Sequence, residues 1–243
     1  MSEQSPLDLV LVMPVYNEEE CISQVVQEWH SVLTSTGARF AMLVLNDGST
    51  DRTAEELASL ADLPGLQVIN KPNSGHGPTI LHGYREAVRM AEWVFQTDSD
   101  GEMPATAFRD LWDQHNAYDA LFGVRMGRSQ PLARKIISAV SRVMVRLLFG
   151  PGVADVNTPY RLMRSFLLRP IVAQIPADTF APNVIISGVF ARWGCRILNV
   201  PVPHSGRRTG RVSLMRWKMW RAAFRAARQT LACRPSRSEW NAC

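Results

Sequence analysis

Cysteine is scarce and scattered: Cys21, Cys195, Cys233 and Cys243 are the only four in 243 residues, and no two form a C-x-x-C pair. That excludes a disulfide framework and a cysteine zinc site, and it fits a reduced compartment. Long hydrophobic runs are missing too, since no apolar stretch approaches the ~18 residues of a membrane span. The first residues, MSEQSPLDLV, are acidic and lack the basic n-region of a signal peptide. The expectation is a cytoplasmic protein, peripheral on a membrane face at most. Three nucleotide and hydrolase signatures are absent as well. There is no G-x-G-x-x-G after the first apolar run, no G-x-x-x-x-G-K-[ST] and no G-x-S-x-G, which argues against dinucleotide, P-loop and α/β-hydrolase sites.

Acidic residues nearly vanish from the second half. Residues 1–120 hold 6 Lys and Arg against 19 Asp and Glu, a net of −13. Residues 121–243 hold 21 against 3, a net of +18, which hides inside an overall charge of +5. Such asymmetry implies two tasks along one chain, with an anionic partner for the arginine-rich half. No RNA-binding motif accompanies the charge, so nucleic acid is not expected.

What is present is a regular alternation. Residues 8–15, 39–46, 66–70, 92–98 and 119–125 read as buried strands. Residues 18–37, 49–61, 75–91 and 104–116 read as helices, the third entered through a glycine-rich loop. The 46% hydrophobic content supplies an ample core. Strands alternating with helices predict an α/β fold with an open, mostly parallel sheet and helices on both faces. In such sheets ligands bind beyond the carboxyl ends of the strands. The polar loops PVYNEE, NDGSTD, NKPNSGHG and DSDGE follow the first four strands in turn.

The last of these loops places Asp98, Asp100 and Glu102 at alternate positions. Three carboxylates so close repel one another unless a cation sits among them. Mg²⁺ and Mn²⁺ take oxygen ligands of this kind, commonly one or two carboxylates plus substrate phosphates. On a continuing strand Asp98 and Asp100 point the same way, and a turn at Ser99 still allows both to face one ion. Gly75 and Gly77 permit close backbone approach to a ligand, or are plain turn glycines. His76 and His82 are candidate phosphate or sugar contacts.

The segments VMPVYNEEE, LNDGSTDRT, NSGHGPTILHG and TDSDGEMP, in that order and spacing, resemble the family-2 glycosyltransferases of the GT-A fold. More narrowly they resemble the branch that transfers sugars to dolichyl and polyprenyl phosphates. GVRMGRS, DVNTPYRLMR and VPVPHSGRRTGRVSL extend the likeness to about residue 214. The resemblance implies that Pro14, Tyr16, Asn17 and Glu18 lie beside the nucleoside and that Asp47 hydrogen-bonds the base. It implies that Asp98 and Asp100 hold Mg²⁺ or Mn²⁺ and, through it, the diphosphate. Glu102 is a third candidate ligand, or equally an acid at a helix N-terminus beside the macrodipole. Arg125 and Arg134 match arginines that bind the acceptor phosphate, and a further one is Arg207 or Arg208. Asn183 stands where many members carry an acid able to serve as base. Asp155 pairs with Arg161, orients the acceptor, or acts as a base toward a hydroxyl.

The resemblance also frames a division of the chain: a nucleotide-sugar half over 1–125, an acceptor half of the same domain over 126–211, a basic amphipathic helix over 212–232 and a polar tail over 233–243. Residues 134–150 carry an apolar helical stripe with Arg142 and Arg146 on the other side. In the segment 214–231 Leu214, Trp217, Trp220, Phe224, Ala227 and Leu231 form one stripe, trailed by Lys218, Arg221, Arg225 and Arg228. Trp and Phe flanked by Arg and Lys suit an anionic membrane surface. The expected activity is inverting, metal-dependent transfer of a sugar from a nucleoside diphosphate to a polyprenyl phosphate, with Asp100, Asp155 and Arg125 as the catalytic candidates. The alternatives are transfer to a saccharide hydroxyl, or a non-catalytic membrane-surface protein on the same fold.

Overall fold

A computed structural model describes residues 7–126, 143 and 152–204 of the chain. Its sheet has seven strands in the order β3-β2-β1-β4-β6-β5-β7. These are β1 (Leu7–Val15), β2 (Phe40–Asp47), β3 (Leu66–Lys71), β4 (Ala91–Gln96), β5 (Ala120–Met126), β6 (Arg161–Arg164) and β7 (Ile197–Pro203). Between them run α1 (Ile22–Ser35), α2 (Thr53–Ala58), α3 (His76–Met90), α4 (Phe108–Trp112), α5 (Ser165–Gln174) and α6 (Pro182–Arg192). The expected parallel α/β arrangement holds for β1–β4 and for the β5–β7 pair.

Alternation along β1 explains why both faces are covered. Leu9, Leu11 and Met13 face one core with Trp29 of α1 and Phe108 of α4. Val10 and Val12 face the other with Ile80, Tyr84 and Val88 of α3 and Ile171 of α5. A strand buried on both faces reads as a continuous apolar run, which is how "LVLVMPV" looks.

Three boundaries differ from the sequence reading. The helix expected from residue 18 begins at Ile22, because Glu18 and Asn17 are held by the loop after β2. The helix expected over 49–61 covers only Thr53–Ala58. The one expected over 104–116 splits into two single 3₁₀ turns around the short α4. Helices this short depend on packing rather than propensity.

The element the periodicity did not reveal is β6. It runs antiparallel to both β4 and β5, with Arg161 opposite Gln96 on one side and Phe122 on the other. Because β4 and β5 are each antiparallel to β6, they are parallel to one another. The carboxyl ends of β1, β2, β3, β4, β5 and β7 therefore share one edge, and the loop leading into β6 opens onto it. Residues 161–203 thus complete the sheet begun by residues 7–126. Among the described residues no helix is long and apolar enough to cross a membrane. The amphipathic segments 134–150 and 212–232, with Arg134, Arg207 and Arg208, lie outside the described residues.

Candidate active site

The loops after β1 and β2 are stitched together at that edge. Asn17 adopts a left-handed conformation, φ 53°, uncommon outside glycine but tolerated by asparagine. Its backbone N–H donates to Ser49 Oγ at 3.0 Å, and its Oδ1 accepts from the Thr50 N–H at 2.8 Å. Glu18 N–H donates to Thr53 Oγ1 at 2.8 Å. Pro14 is buried in β1 opposite Leu45, whereas Tyr16 is exposed at the rim.

Asp47 closes β2 and anchors the entry to α3. Its Oδ1 accepts from Lys71 Nζ and from the Ser74 N–H at 2.9 Å, and its Oδ2 accepts from the Gly75 N–H at 2.9 Å. Lys71 also donates to Pro72 O at 2.8 Å and Ser74 Oγ at 2.7 Å. Burial by itself would raise the Asp47 carboxyl, but Lys71 and the Ser74 N–H outweigh it and hold the group below its ordinary value. Asp47→Asn removes the charge opposing a Lys71 whose side chain is only 14% exposed. Loss of one partner from a buried pair costs about 3 kcal/mol. Melting of the variant is therefore expected roughly 10 °C below wild type, at about 2–4 °C per kcal/mol for a chain of this size.

Gly75 takes φ +94°, which a side chain rarely adopts, so it serves the turn into α3. Gly77 has a different reason to be small. A Cβ there would lie 2.2 Å from Phe180 O and 2.5 Å from Thr179 O. Its close approach is to the chain's own 179–180 backbone, not to an open ligand space.

β4 stops at Gln96, so Asp98 and Asp100 stand on a turn rather than a continuing strand. Asp100 Oδ1 accepts from the Glu102 N–H at 3.0 Å. Asp98 Oδ1 lies 3.5 Å from His76 Nε2 and accepts from Gln96 Nε2 at 3.1 Å. Burial pushes the Asp98 carboxyl above its ordinary value; His76 and Arg125 oppose that, while Asp100 and Glu102 reinforce it. Glu102 turns to His204, with Oε2 2.9 Å from Nε2 of a side chain 6% exposed. His82 sits half-buried farther along α3.

Arg125, near the end of β5, forms a two-pronged pair with Asp155. Nε donates to Oδ2 at 2.7 Å and Nη2 to Oδ1 at 2.9 Å. Of the three readings of Asp155, the pairing with Arg161 is set aside by this geometry, since its ion-pair partner is Arg125. Arg161 is fully buried and spends its guanidinium on Thr158 O at 3.0 Å, Asn183 O at 3.2 Å, Val156 O at 3.3 Å and Ser187 Oγ at 3.4 Å. It reaches Asp155 only as a through-space charge. Burial would raise Asp155, yet Arg125 overrides it and keeps the carboxyl below its ordinary value.

A cation site made of Asp98 and Asp100 fits the residues present. Among the described residues no three His, Cys, Asp or Glu side chains converge as a full cage. Mg²⁺ and Mn²⁺ do not need one, since they retain waters and share substrate phosphates with one or two carboxylates. The burial strain on a charged Asp98 is the condition a cation relieves.

The family model for glycosyl transferase family 2 matches residues 10–171. The chain belongs to that family. Among curated proteins, the chain is 28% identical over 204 residues to the undecaprenyl-phosphate 4-deoxy-4-formamido-L-arabinose transferase of Pectobacterium carotovorum, covering 82% of this chain and 60% of that protein. The enzyme of the same name from Pseudomonas paraeruginosa is 29% identical over 210 residues, covering 84% and 60%. This family-2 chain thus spans about three-fifths of the length of the curated relatives it matches.

Among solved structures, glucosyl-3-phosphoglycerate synthase from Mycobacterium tuberculosis, in complex with Mn²⁺, UDP and glucosyl-3-phosphoglycerate, superposes with a TM-score of 0.68 at 16% identity over 95% of this chain and 82% of that one. S. aureus TarS with UDP-GlcNAc gives 0.61 at 17% identity over 94% and 68%. At those identities the likeness establishes the GT-A fold.

Several site residues escaped the sequence reading: Lys71, Gln96, Asn183 as a buried amide, and His204. Lys71 and His204 lay inside segments already noted, NKPNSGHG and VPVPHSG. Their partners are 24 and 102 residues away, so no local spacing reveals them.

Proposed function

We propose that this chain transfers a sugar from a nucleoside diphosphate to a polyprenyl phosphate, with inversion and with help from Mg²⁺ or Mn²⁺. The observation that supports this reading is that the acidic turn of Asp98 and Asp100 and the Arg125–Asp155 pair lie at the same sheet edge. Asp98 lies near enough to the Arg125–Asp155 pair that Arg125 opposes, through space, the rise that burial imposes on its carboxyl. The curated relatives' names support a polyprenyl phosphate acceptor, and the Mn²⁺ and UDP complexes of structural neighbours support the donor.

The chain's own residues divide the work. Tyr16, Asn17 and Glu18 border the nucleoside, over the floor formed by Pro14. Asp47 has one Oδ2 lone pair beyond the bond to Gly75, which suits an N–H of the base. Asp98 and Asp100 would hold the cation, which would supply Lewis-acid stabilisation of the leaving diphosphate. Arg125 offers the acceptor phosphate its Nη1, which has no hydrogen-bond partner among the described residues, because Asp155 occupies the Nε–Nη2 edge. Arg134 and Arg207 or Arg208 would add further charge.

Asp155 acts here as a positioning residue. A monoester phosphate has its second pKa near 6 and is largely ionised at pH 7, so the attacking oxygen needs no strong base. A carboxylate held low by Arg125 is a weak base and a good clamp. This disfavours transfer to a saccharide hydroxyl, which would require deprotonation. The test is transfer of label from UDP-, GDP- and CDP-sugars to undecaprenyl phosphate in detergent, with EDTA and Mn²⁺ arms. Metal-dependent lipid product is the expected result; metal-independent product, or product only with free saccharides, would sink the reading.

A further inference from the structure

Behind Asp98 lies a set of polar side chains that the proposed chemistry does not use. Gln96 is fully buried at the end of β4, Tyr84 is fully buried on α3, and Asn183 is 4% exposed at the start of α6. Gln96 Nε2 donates to Asp98 Oδ1 at 3.1 Å. Gln96 Oε1 accepts from Asn183 Nδ2 at 3.0 Å and lies 3.3 Å from the Tyr84 hydroxyl. The Tyr84 hydroxyl donates to Asn183 Oδ1 at 2.9 Å.

The orientation of every amide in this set follows from one charge. An ionised Asp98 only accepts, so Gln96 must turn its NH₂ toward it. The Gln96 oxygen then faces Asn183, which must present its own NH₂, leaving its oxygen to the Tyr84 hydroxyl. No alternative flip satisfies all three side chains. Asn183 continues the connection through its backbone: its carbonyl accepts from Arg161 Nη1, and Arg161 grips the carbonyls of Val156 and Thr158. Those carbonyls belong to the loop that carries Asp155 and so aims Arg125.

We propose that Gln96 and Asn183 are positioning residues: their buried amide relay sets the aim of Asp98 toward the cation and ties it to the loop that holds the acceptor arginine. Resting on the donor-site reading above, this assigns position 183 a role other than base. Its side chain is sealed beneath Gln96 and Tyr84 and faces no substrate. Buried polar networks of this kind are rigid when fully satisfied, which is what a two-carboxylate site with few protein ligands requires.

The test is calorimetric binding of UDP, GDP and CDP, each with and without Mn²⁺, to wild type, Gln96→Met, Asn183→Leu and Tyr84→Phe, with melting followed in parallel. Gln96→Met should weaken the Mn²⁺-linked part of the affinity about tenfold, the order of one hydrogen bond to a charged group. Metal-free nucleotide affinity should stay within twofold. Asn183→Leu should show a smaller loss and Tyr84→Phe the smallest. The Mn²⁺ EPR spectrum of the nucleotide complex should broaden in the same order, a signature that a purely structural defect does not produce. If Gln96→Met fails to fold, the other two variants carry the same comparison without touching Asp98. Unchanged Mn²⁺-linked affinity across the series would overturn the relay. So would a parallel fall in metal-free binding and melting temperature. Absence of any Mn²⁺-linked affinity in wild type would instead overturn the donor-site reading itself.

Discussion

Asp98→Asn/Asp100→Asn should abolish Mn²⁺-dependent nucleoside diphosphate binding while leaving the fold intact. The two carboxylates stand at the end of β4 on a turn, and Asp98 is pushed up by burial and by Asp100. Neutralising both relieves that repulsion, so the melting temperature should hold or rise. Affinity in the presence of metal should fall by about 100-fold or more, consistent with several kcal/mol of cation-mediated attraction to the diphosphate. Titration of wild type and the double variant with UDP and GDP, each with and without Mn²⁺, measures this directly. Binding that survives the double substitution would remove the cation from the donor site and return the acidic turn to a structural role.

The second large effect concerns Arg125. Arg125→Ala should reduce kcat/KM for the lipid acceptor by about 100-fold or more, since a buried charge-assisted pair with phosphate is worth about 3 kcal/mol. Donor binding should change far less. The variant should also lose stability, because it strands the Asp155 carboxylate, whose side chain is only 18% exposed. Breaking such a pair from one side costs about 3–5 kcal/mol, whereas removing both partners costs less. Arg125→Ala/Asp155→Ala should therefore melt above Arg125→Ala and yet remain inactive toward the acceptor. A double variant that regained activity would show that Arg125 serves only to neutralise Asp155.

The pH dependence of this pair has a definite sign. The Asp155 carboxyl is depressed in the folded state, so its contribution to stability is fully present above the ordinary carboxylate value near 3.9. It is lost as pH falls from about 4 through the depressed folded value. Acid melting curves of wild type should show this loss. Arg125→Ala/Asp155→Ala should show a shallower slope over the same range.

Much of the fold was legible because it rests on short-range pattern. The apolar runs of β1 and β2 and the apolar stripe of α3 carry their own periodicity, and burial on one or both faces is enough to interpret them. The positions of Asp98, Asp100 and Asp47 followed from the same pattern, because strand ends in a parallel sheet define the ligand edge. Charge asymmetry was visible by counting alone, and so was the absence of cysteine pairs.

Only the tertiary structure decided who partners whom. β6 is four residues long, too short for period-2 alternation to stand out, and its place between β4 and β5 depends on pairing across 39 to 71 residues of chain. That insertion brings Arg161 beside Gln96, and it turns Asp155 toward Arg125 instead of the arginine nearer in sequence. Glu102 meets His204, and Asn183 meets Gln96, across comparable separations. By itself the sequence determined which residues would reach the sheet edge, since local periodicity sets where strands stop. Which charges and amides satisfy one another there is a matter of long-range geometry, because a buried polar group takes whichever partner the packed chain brings within about 3 Å.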